Sequence, residues 1–517
     1  MALHEPSKGS QWWRSGVIYQ IYPRSFLDSN GDGMGDLPGI TKGLPALKEL
    51  GVDAVWLSPF YRSPQKDAGY DVSDYKDVDP LFGTLRDFDD MLQKAHDLGL
   101  RVMIDLVPNH SSDQHEWFQR ALNSPKGSPE RNFYHFKDGK GENGELPPNN
   151  WVSMFGGPAW TRVEDGQWYC HLFDSSQPDL NWSNPEVKSE VEKILRFWLD
   201  RGVDGFRVDQ PHAMAKAAGL PDHPYVDEAG AGFIEGREAP PMWFQDEVHD
   251  IFRRWRSILD EYQGERAMCG EAYVLPLSLM ANWVRPDEFH QTFNFRFLDA
   301  GWDKEALVLA INESFEAFDS VGAPSTWVLS NHDVIRHASS ELGLRLARGA
   351  TLFMLGLPGS SYLYQGEELG LPEHTTIDPE HRQDPTFTRT SGVRVGRDGC
   401  RAPLPWEAGG PSNGFSEVAG WLPQPDSYAA LSRNTQRGKS GSTLELYRAA
   451  LALRKQLALG EGSFDWISLD DVLSYQNGEL TISHNFGTEP QKLAGDVLIR
   501  SGNEDGPLRP GETAWTR

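Results

Sequence analysis

Cysteine is scarce: Cys170, Cys269 and Cys400 are the only three in 517 residues. Three scattered thiols make neither a disulfide framework nor a CxxC metal site. Long hydrophobic runs are missing as well. No stretch of about 18 apolar residues exists to span a bilayer. The opening residues, MALHEPSKGSQWWRSG, hold no apolar signal core. The expectation is a cytoplasmic protein with no membrane partner. Neither GxGxxG nor GxxxxGKS/T occurs, which removes the usual nucleotide cradles. Positive charge is also short: 49 Lys and Arg stand against 75 Asp and Glu, a net charge of −26. Such a surface repels a polyanion, so nucleic acid is excluded as a partner.

Aromatic residues are plentiful, with 18 Trp among them, and they are spread along the chain, which argues against disorder. Aromatic faces and carboxylates are what a carbohydrate site needs, although a solvated acidic surface gives the same count. At about 100–200 residues per domain, the length implies two to four domains.

Short β-rich apolar runs recur at 17–23, 53–59, 101–107, 202–209, 266–274, 289–295, 325–331 and 361–366. Amphipathic stretches of helical length separate several of them, at 39–51, 88–99 and 186–202. Strand-plus-helix units repeated in this way predict an α/β fold, a parallel (β/α)8 TIM barrel in preference to an open doubly wound sheet. The third and fourth runs are far apart. The Pro-, Gly-, Asn- and aromatic-rich intervening segment predicts an excursion domain over residues 111–180, lying across the strand C-termini. Residues 1–110 and 181–435 then form the barrel. A helix after 440 followed by hairpin-like segments predicts a C-terminal antiparallel β domain over 436–517.

In a parallel barrel the strand C-termini face the active site. Those ends carry Asn109 and His110, Arg207 and Asp209, Glu271, and His332 and Asp333. Three carboxylates from three strands suit glycoside hydrolysis, which needs one carboxylate and one carboxylic acid beside the sugar. Arg207 and Asp209, two apart on a strand, share a face, so Arg207 is expected to keep Asp209 ionised as a nucleophile. Glu271 needs the opposite treatment, a raised pKa, to act as general acid. Asp333 would face the cationic transition state. His110 and His332 would donate to sugar hydroxyls.

These segments, DLVPNH (105–110), GFRVD (205–209), GEAY (270–273) and SNHD (330–333), resemble those of glycoside hydrolase family 13, the α-amylase family. With QPDLNW (177–182), GYDVSDY (69–75) and YLYQGEELG (362–370), the chain looks like the α-glucosidase and oligo-1,6-glucosidase branch. The resemblance implies Asp209 as nucleophile, Glu271 as acid/base and Asp333 as transition-state stabiliser. It further implies that Asp67 grips the terminal glucose hydroxyls with help from Arg401, that Tyr70 is the platform beneath that sugar, and that Phe173 lines the entrance.

A second constellation is Asp28, Asn30, Asp32, Met34 and Asp36, in DSNGDGMGD. Alternate oxygen donors with glycines for tight turning fit a calcium loop, with Met34 offering only its carbonyl. A solvated Asx-rich turn reads the same way. The resembled branch carries a divalent cation, usually calcium, in this loop, which implies a structural Ca2+ here and no organic cofactor.

One position departs from the branch. After the nucleophile it commonly has Val, Thr or Ala; here Gln210 stands, followed by Pro211. The expectation is that Gln210 bonds a substrate hydroxyl on the leaving-group side and that 216–245 caps the same subsite. The reading is a retaining, exo-acting α-glucosidase for small α-glucosides such as maltose, isomaltose or sucrose, monomeric or a homodimer. The nearest alternative is an α-glucosyltransferase or sucrose isomerase using the same covalent intermediate. A non-catalytic binding subunit is disfavoured because all three carboxylates are present.

Overall fold

The computed structural model describes residues 3–6, 9, 11–224, 239–339, 343–502 and 505–517. Each of the eight apolar runs coincides with a strand: β1 (Val17–Ile21), β2 (Ala54–Leu57), β3 (Arg101–Leu106), β4 (Gly205–Val208), β5 (Ala267–Gly270), β6 (Gln291–Thr292), β7 (Thr326–Val328) and β8 (Ser360–Tyr364), the last beginning one residue before its run. All are parallel, in the order β6-β5-β4-β3-β2-β1-β8-β7. The β8–β1 pairing wraps the sheet round. At the remaining seam the Thr326 hydroxyl donates to the Thr292 carbonyl, so the barrel is nearly closed. β6 is shorter than its run because Asn294 accepts from the Phe297 amide at 3.1 Å and starts a helical turn.

The two-residue period of a strand sorts the side chains. Ile18, Ala54, Trp56, Met103, Cys269, Val328 and Tyr362 join Phe293 in a cluster that fills the barrel. Tyr19, Val55, Val102 and Ile104 point the other way, into the large core beneath the helices. Chain chemistry sets those helices. Asp36 caps α1 (Leu37–Leu50) through the Gly39 amide, and Gly51 ends it in the left-handed region at φ 103°. Thr84 and Asp87 form a reciprocal capping box on α2 (Leu85–Asp97). Asn184 opens α3 (Pro185–Arg201), and Gly202 closes it, again at φ 103°. Each cap fixes where the chain turns back towards the next strand.

Between β3 and β4 lies a three-stranded antiparallel sheet, Phe136–Asp138, Gln167–Cys170 and Trp160–Arg162. Trp151, Phe155, Trp160 and Phe173 form an apolar cluster there with Ala213, Met242 and Trp243, from the segment that follows β4. Asn149 donates to the Leu220 carbonyl at 3.1 Å and Trp151 to the Pro221 carbonyl at 2.9 Å. The described parts of 216–245 therefore dock on the excursion. The rest of that segment, expected to cap a subsite, lies outside the described residues. At the C-terminus β9 (Asp465–Leu469), β10 (Val472–Asn477), β11 (Leu480–Asn485), β12 (Val497–Arg500) and β13 (Thr513–Thr516) make one antiparallel sheet, in the order β9-β10-β11-β13-β12. Among the described residues no helix is long and apolar enough to cross a membrane.

Candidate active site

The strand C-termini open into a cavity of about 670 Å3, whose walls include Asp67, Tyr70, His110, Phe173, Asp209, Gln210, Glu271, Asp333 and Arg397. Its centre is built on Arg207. In the β3–β4 register Asp105 lies opposite Arg207, and in the β5–β4 register Gly270, the residue before Glu271, lies opposite Val208. Arg207 Nη1 donates to Asp105 Oδ1 and Asp209 Oδ1, both at 2.8 Å, and Nη2 lies 3.0 Å from Glu271 Oε2. The guanidinium is almost completely buried, over the Trp56 ring. Asp209 and Glu271 thus each commit one oxygen to the same arginine. Among the described residues, Asp209 Oδ2 and Glu271 Oε1 have no hydrogen-bond partner.

Burial dominates the electrostatics. It pushes Glu271 up to about 8, against the pull of Arg207 and with Asp209 and Asp333 adding to the rise. It pushes Asp209 up to about 7, where Asp105 and Asp333 again outweigh much of what Arg207 offers. Arg207 alone therefore does not hold Asp209 in the ordinary carboxylate range, as the sequence suggested. Both members of the pair are raised, Glu271 as the acid role requires. Asp333 moves oppositely. Burial raises it, but His332, Arg397, Arg401 and Arg207 together hold it well below the usual carboxylate range. Its Oδ1 accepts from Arg397 Nη1 and Arg401 Nη2, both at 2.9 Å.

A cluster of ion pairs forms part of the cavity wall. Arg397 Nη2 donates to Asp67 Oδ1 at 2.8 Å and Nη1 to Asp333, while Nε meets Asp384 Oδ2 at 2.5 Å. Gln177 Nε2 adds a bond to Asp67 Oδ2 at 3.1 Å. The arginine on Asp67 is thus Arg397, not Arg401 as the resemblance implied. Arg401 is buried behind Asp333, with Nε on the His332 carbonyl at 2.9 Å, because the short helix Asp398–Arg401 turns it inwards. Burial lifts Asp67 to about 6 in spite of the arginines.

Tyr70 and Phe173 both reach the cavity wall. The Tyr70 ring stacks on His332 at 5.3 Å between centroids, nearly parallel, and its hydroxyl donates to Asp105 Oδ2 at 3.1 Å. Phe173 packs against His110 at 5.0 Å and Phe155 at 6.1 Å. Burial depresses His110 to about 4, so it is neutral at pH 7; its Nε2 donates to the Tyr70 carbonyl at 3.1 Å. His332 was expected on the sugar hydroxyls. Instead it sits behind the wall, its Nδ1 accepting from Gln20 at 2.8 Å and its Nε2 facing the Tyr70 hydroxyl at 2.6 Å and Asp333 at 3.3 Å. Gln210 also departs from expectation: its side-chain amide donates to Glu271 Oε2 at 2.8 Å.

Sequence reasoning missed Asp105, Arg397, Asp384 and Gln177. Asp105 opens the DLVPNH motif, and strand alternation places it on the face of the strand that meets Arg207. Arg397 lies four residues from Arg401 in one segment, and nothing local distinguishes the two. Asp384 is brought in by a loop, with no signal of its own.

In the first loop, Asp28 Oδ1 accepts from the amides of Asn30 and Gly31 and Oδ2 from that of Gly33 and the Ser416 hydroxyl. Asn30 accepts from the Asp32 amide, Asp32 from that of Met34, and Asp36 from Ser29 and Gly39. This run of side-chain-to-backbone turns winds the loop. Among the described residues no three His, Cys, Asp or Glu side chains gather closely enough to hold a metal ion.

Against known proteins, residues 20–462 match the model of the α-amylase catalytic domain. The chain is 40% identical over 492 residues to a probable α-glucosidase of Rhizobium meliloti (strain 1021), covering 90% of this chain and 86% of that protein. It is 35% identical over 520 residues to the oligo-1,6-glucosidase of Parageobacillus thermoglucosidasius, covering 92% and 90%. Among solved structures, the α-glucosyl transfer enzyme XgtA superposes with a TM-score of 0.87 at 38% identity, over 98% of this chain and 100% of that one.

Proposed function

The chain belongs to the α-amylase family of glycoside hydrolases, family 13, and from that premise we propose that it is a retaining, exo-acting α-glucosidase releasing glucose from the non-reducing end of short α-glucosides. The observation that carries this is the sharing of Arg207. Two carboxylates on one guanidinium stand close together, which favours the spacing of about 5 Å used by retaining enzymes over the wider gap an inverting enzyme keeps for water. Each keeps one oxygen open towards the cavity. Asp209 Oδ2 attacks the anomeric carbon as the bond to the leaving oxygen breaks, and that oxygen takes the proton from Glu271 Oε1. Water then attacks the same carbon, Glu271 recovers a proton from it, and Asp209 departs as a carboxylate. Asp333, held ionised by its arginines, faces the positive charge of both transition states.

Exo action rests on the ion-pair cluster. The Asp67–Arg397–Asp333 chain of ion pairs across the cavity wall supports a pocket that ends at the terminal sugar. Its charged oxygens and nitrogens suit that sugar's hydroxyls, above the Tyr70 ring. A second outcome, transfer of the glucosyl group to another hydroxyl, is favoured by the apolar side chains among the cavity's lining residues. These are Met154, Phe155, Val393 and Val395, and Val393 is 85% exposed. Such a lining suits an organic acceptor better than water. A divalent cation, calcium by its all-oxygen donors, is proposed for the Asp28–Asp36 loop. Asp28, Asn30, Asp32 and Asp36 would supply side-chain oxygens and Met34 its carbonyl, with the three aspartates drawing together to grip the ion. Cytoplasmic residence fits three buried free thiols.

The test is product analysis with maltose, isomaltose and sucrose, combined with NMR of the first-formed glucose and mass spectrometry of a trapped intermediate. α-Glucose and a glucosyl group on Asp209 are expected. β-Glucose as the first product would end the retaining reading, and internal cleavage of a long glucan would end the exo reading.

A further inference from the structure

Gln210 is a large polar residue in an unusual backbone position. It directly follows Asp209 and has φ 44° and ψ 45°, in the left-handed region that side-chain-bearing residues rarely adopt. Pro211 follows and begins the single turn Pro211–Ala213. The result is that both donors of Gln210 meet one atom. Nε2 lies 2.8 Å and the backbone nitrogen 3.4 Å from Glu271 Oε2. Arg207 Nη2 is 3.0 Å from that same oxygen. Three donors thus converge on Oε2, while Oε1 has none among the described residues. An oxygen surrounded by N–H groups cannot itself carry a proton pointing at them, so the proton of the acid form belongs on Oε1.

We propose that Gln210 is a positioning residue for Glu271: its amide, with Arg207, anchors Oε2, fixes the carboxyl plane and leaves Oε1 as the oxygen that delivers the proton to the leaving group. This rests on the reading of Glu271 as the acid/base. The donors also favour the ionised form, so they hold the pKa of Glu271 down against burial and the neighbouring carboxylates. The groups that face it are Arg207, which acts with the donors, and three carboxylates that oppose them: Asp209 at the end of β4, Asp333 beyond β7 and Asp105 on β3. A hydrocarbon side chain at this position offers no such amide, so the site would have a weaker acid with a freer carboxyl group.

The test uses Gln210→Met, which keeps length and loses the amide, and Gln210→Asn, which tolerates the left-handed backbone but draws the amide back by one methylene. The readout is the pH dependence of kcat/KM on maltose and on p-nitrophenyl α-glucoside. The alkaline limb is expected to move up by about one pH unit in both variants, the effect of one lost charge-assisted hydrogen bond. The rate on maltose, whose leaving group needs the proton, should fall about tenfold or more at pH 7, with a much smaller loss on the nitrophenyl substrate. In a Glu271→Gln background, Gln210→Met should add no further loss on maltose. An unmoved limb with equal losses on both substrates would overturn the proposal and reduce Gln210 to a wall of the cavity. A Glu271→Gln enzyme that still hydrolyses maltose at the parental rate would instead overturn the acid/base reading itself, whatever Gln210 does.

Discussion

Replacing Arg207 by methionine tests the centre of the site most directly. The side chain keeps its approximate length, and its cavity stays filled, but the cation that bonds Asp105, Asp209 and Glu271 together is gone. Each of the two catalytic candidates loses a charge-assisted hydrogen bond worth about 1.5–3 kcal/mol in favour of its ionised form. At 1.36 kcal/mol per unit, this raises both groups by about 1–2 pH units. Asp209 starts at about 7. At pH 7, where it starts half ionised, its ionised fraction then falls by about fivefold to fiftyfold, with the rate following it. The assay is kcat/KM on p-nitrophenyl α-glucoside from pH 5 to 10, with near-UV circular dichroism to verify the fold. Both limbs of the profile should move to higher pH, and activity should partly return in alkali. Arg207→Lys keeps the charge but not the fork, so its limbs should stay nearer the parental ones while kcat falls. A Gln210-independent, uniform loss of activity with both limbs unmoved would refute the claim that Arg207 acts by setting these two acidities.

Arg397→Leu should raise KM for maltose by about tenfold or more, with a smaller effect on kcat, because it removes the partner of Asp67 in the cavity wall; steady-state kinetics measure it, and an unchanged KM would remove Arg397 from sugar binding. Stability should show the strain of the buried acids. Asp209 and Glu271 have folded pKa values above their unfolded ones, so the native state binds more protons between about pH 4 and 8 and loses stability as pH rises through that window. Asp209→Asn and Glu271→Gln should therefore raise Tm at pH 8 by the equivalent of about 1–2 kcal/mol and by less at pH 5; calorimetry at both values decides, and a larger gain at pH 5 would reverse the assignment. Adding a chelator should lower Tm, and calcium should restore it, with Asp32→Ala abolishing the response; an unresponsive Tm would leave the Asp28–Asp36 loop as a turn held by its own amides.

The barrel was legible because its strands are short, continuous apolar runs bounded by turn residues, and because strand ends have a fixed place in this architecture. Reading those ends brought Asp209, Glu271 and Asp333 to one cavity without any knowledge of distance. Pairings set by loops were not legible. Arg397 and Arg401 share one segment, and only the turn Asp398–Arg401 decides which reaches Asp67 and which lies behind Asp333. The direction of a side chain was equally hidden. Gln210 was expected to reach for substrate, yet its left-handed backbone turns the amide onto Glu271. His332 was read as a donor to sugar, but stacking against Tyr70 holds it behind the wall. The balance of charge was misjudged because sequence shows neighbours and not burial. Arg207 is present as expected, but it is shared among three carboxylates removed from water.

The pairing of Asp105 with Arg207 across β3 and β4 has a consequence for how the molecule comes together. The two residues lie opposite each other in the strand register. A slip of one residue would turn Arg207 to the other face of the sheet and leave Asp105 without its cation. Correct alignment of these strands, which a long excursion separates in the chain, is therefore rewarded by the same ion pairs that organise the carboxylates of the candidate site. In a refolding experiment, return of activity should not precede the pairing of β3 with β4: alignment of these strands and assembly of the ion-pair centre are one event.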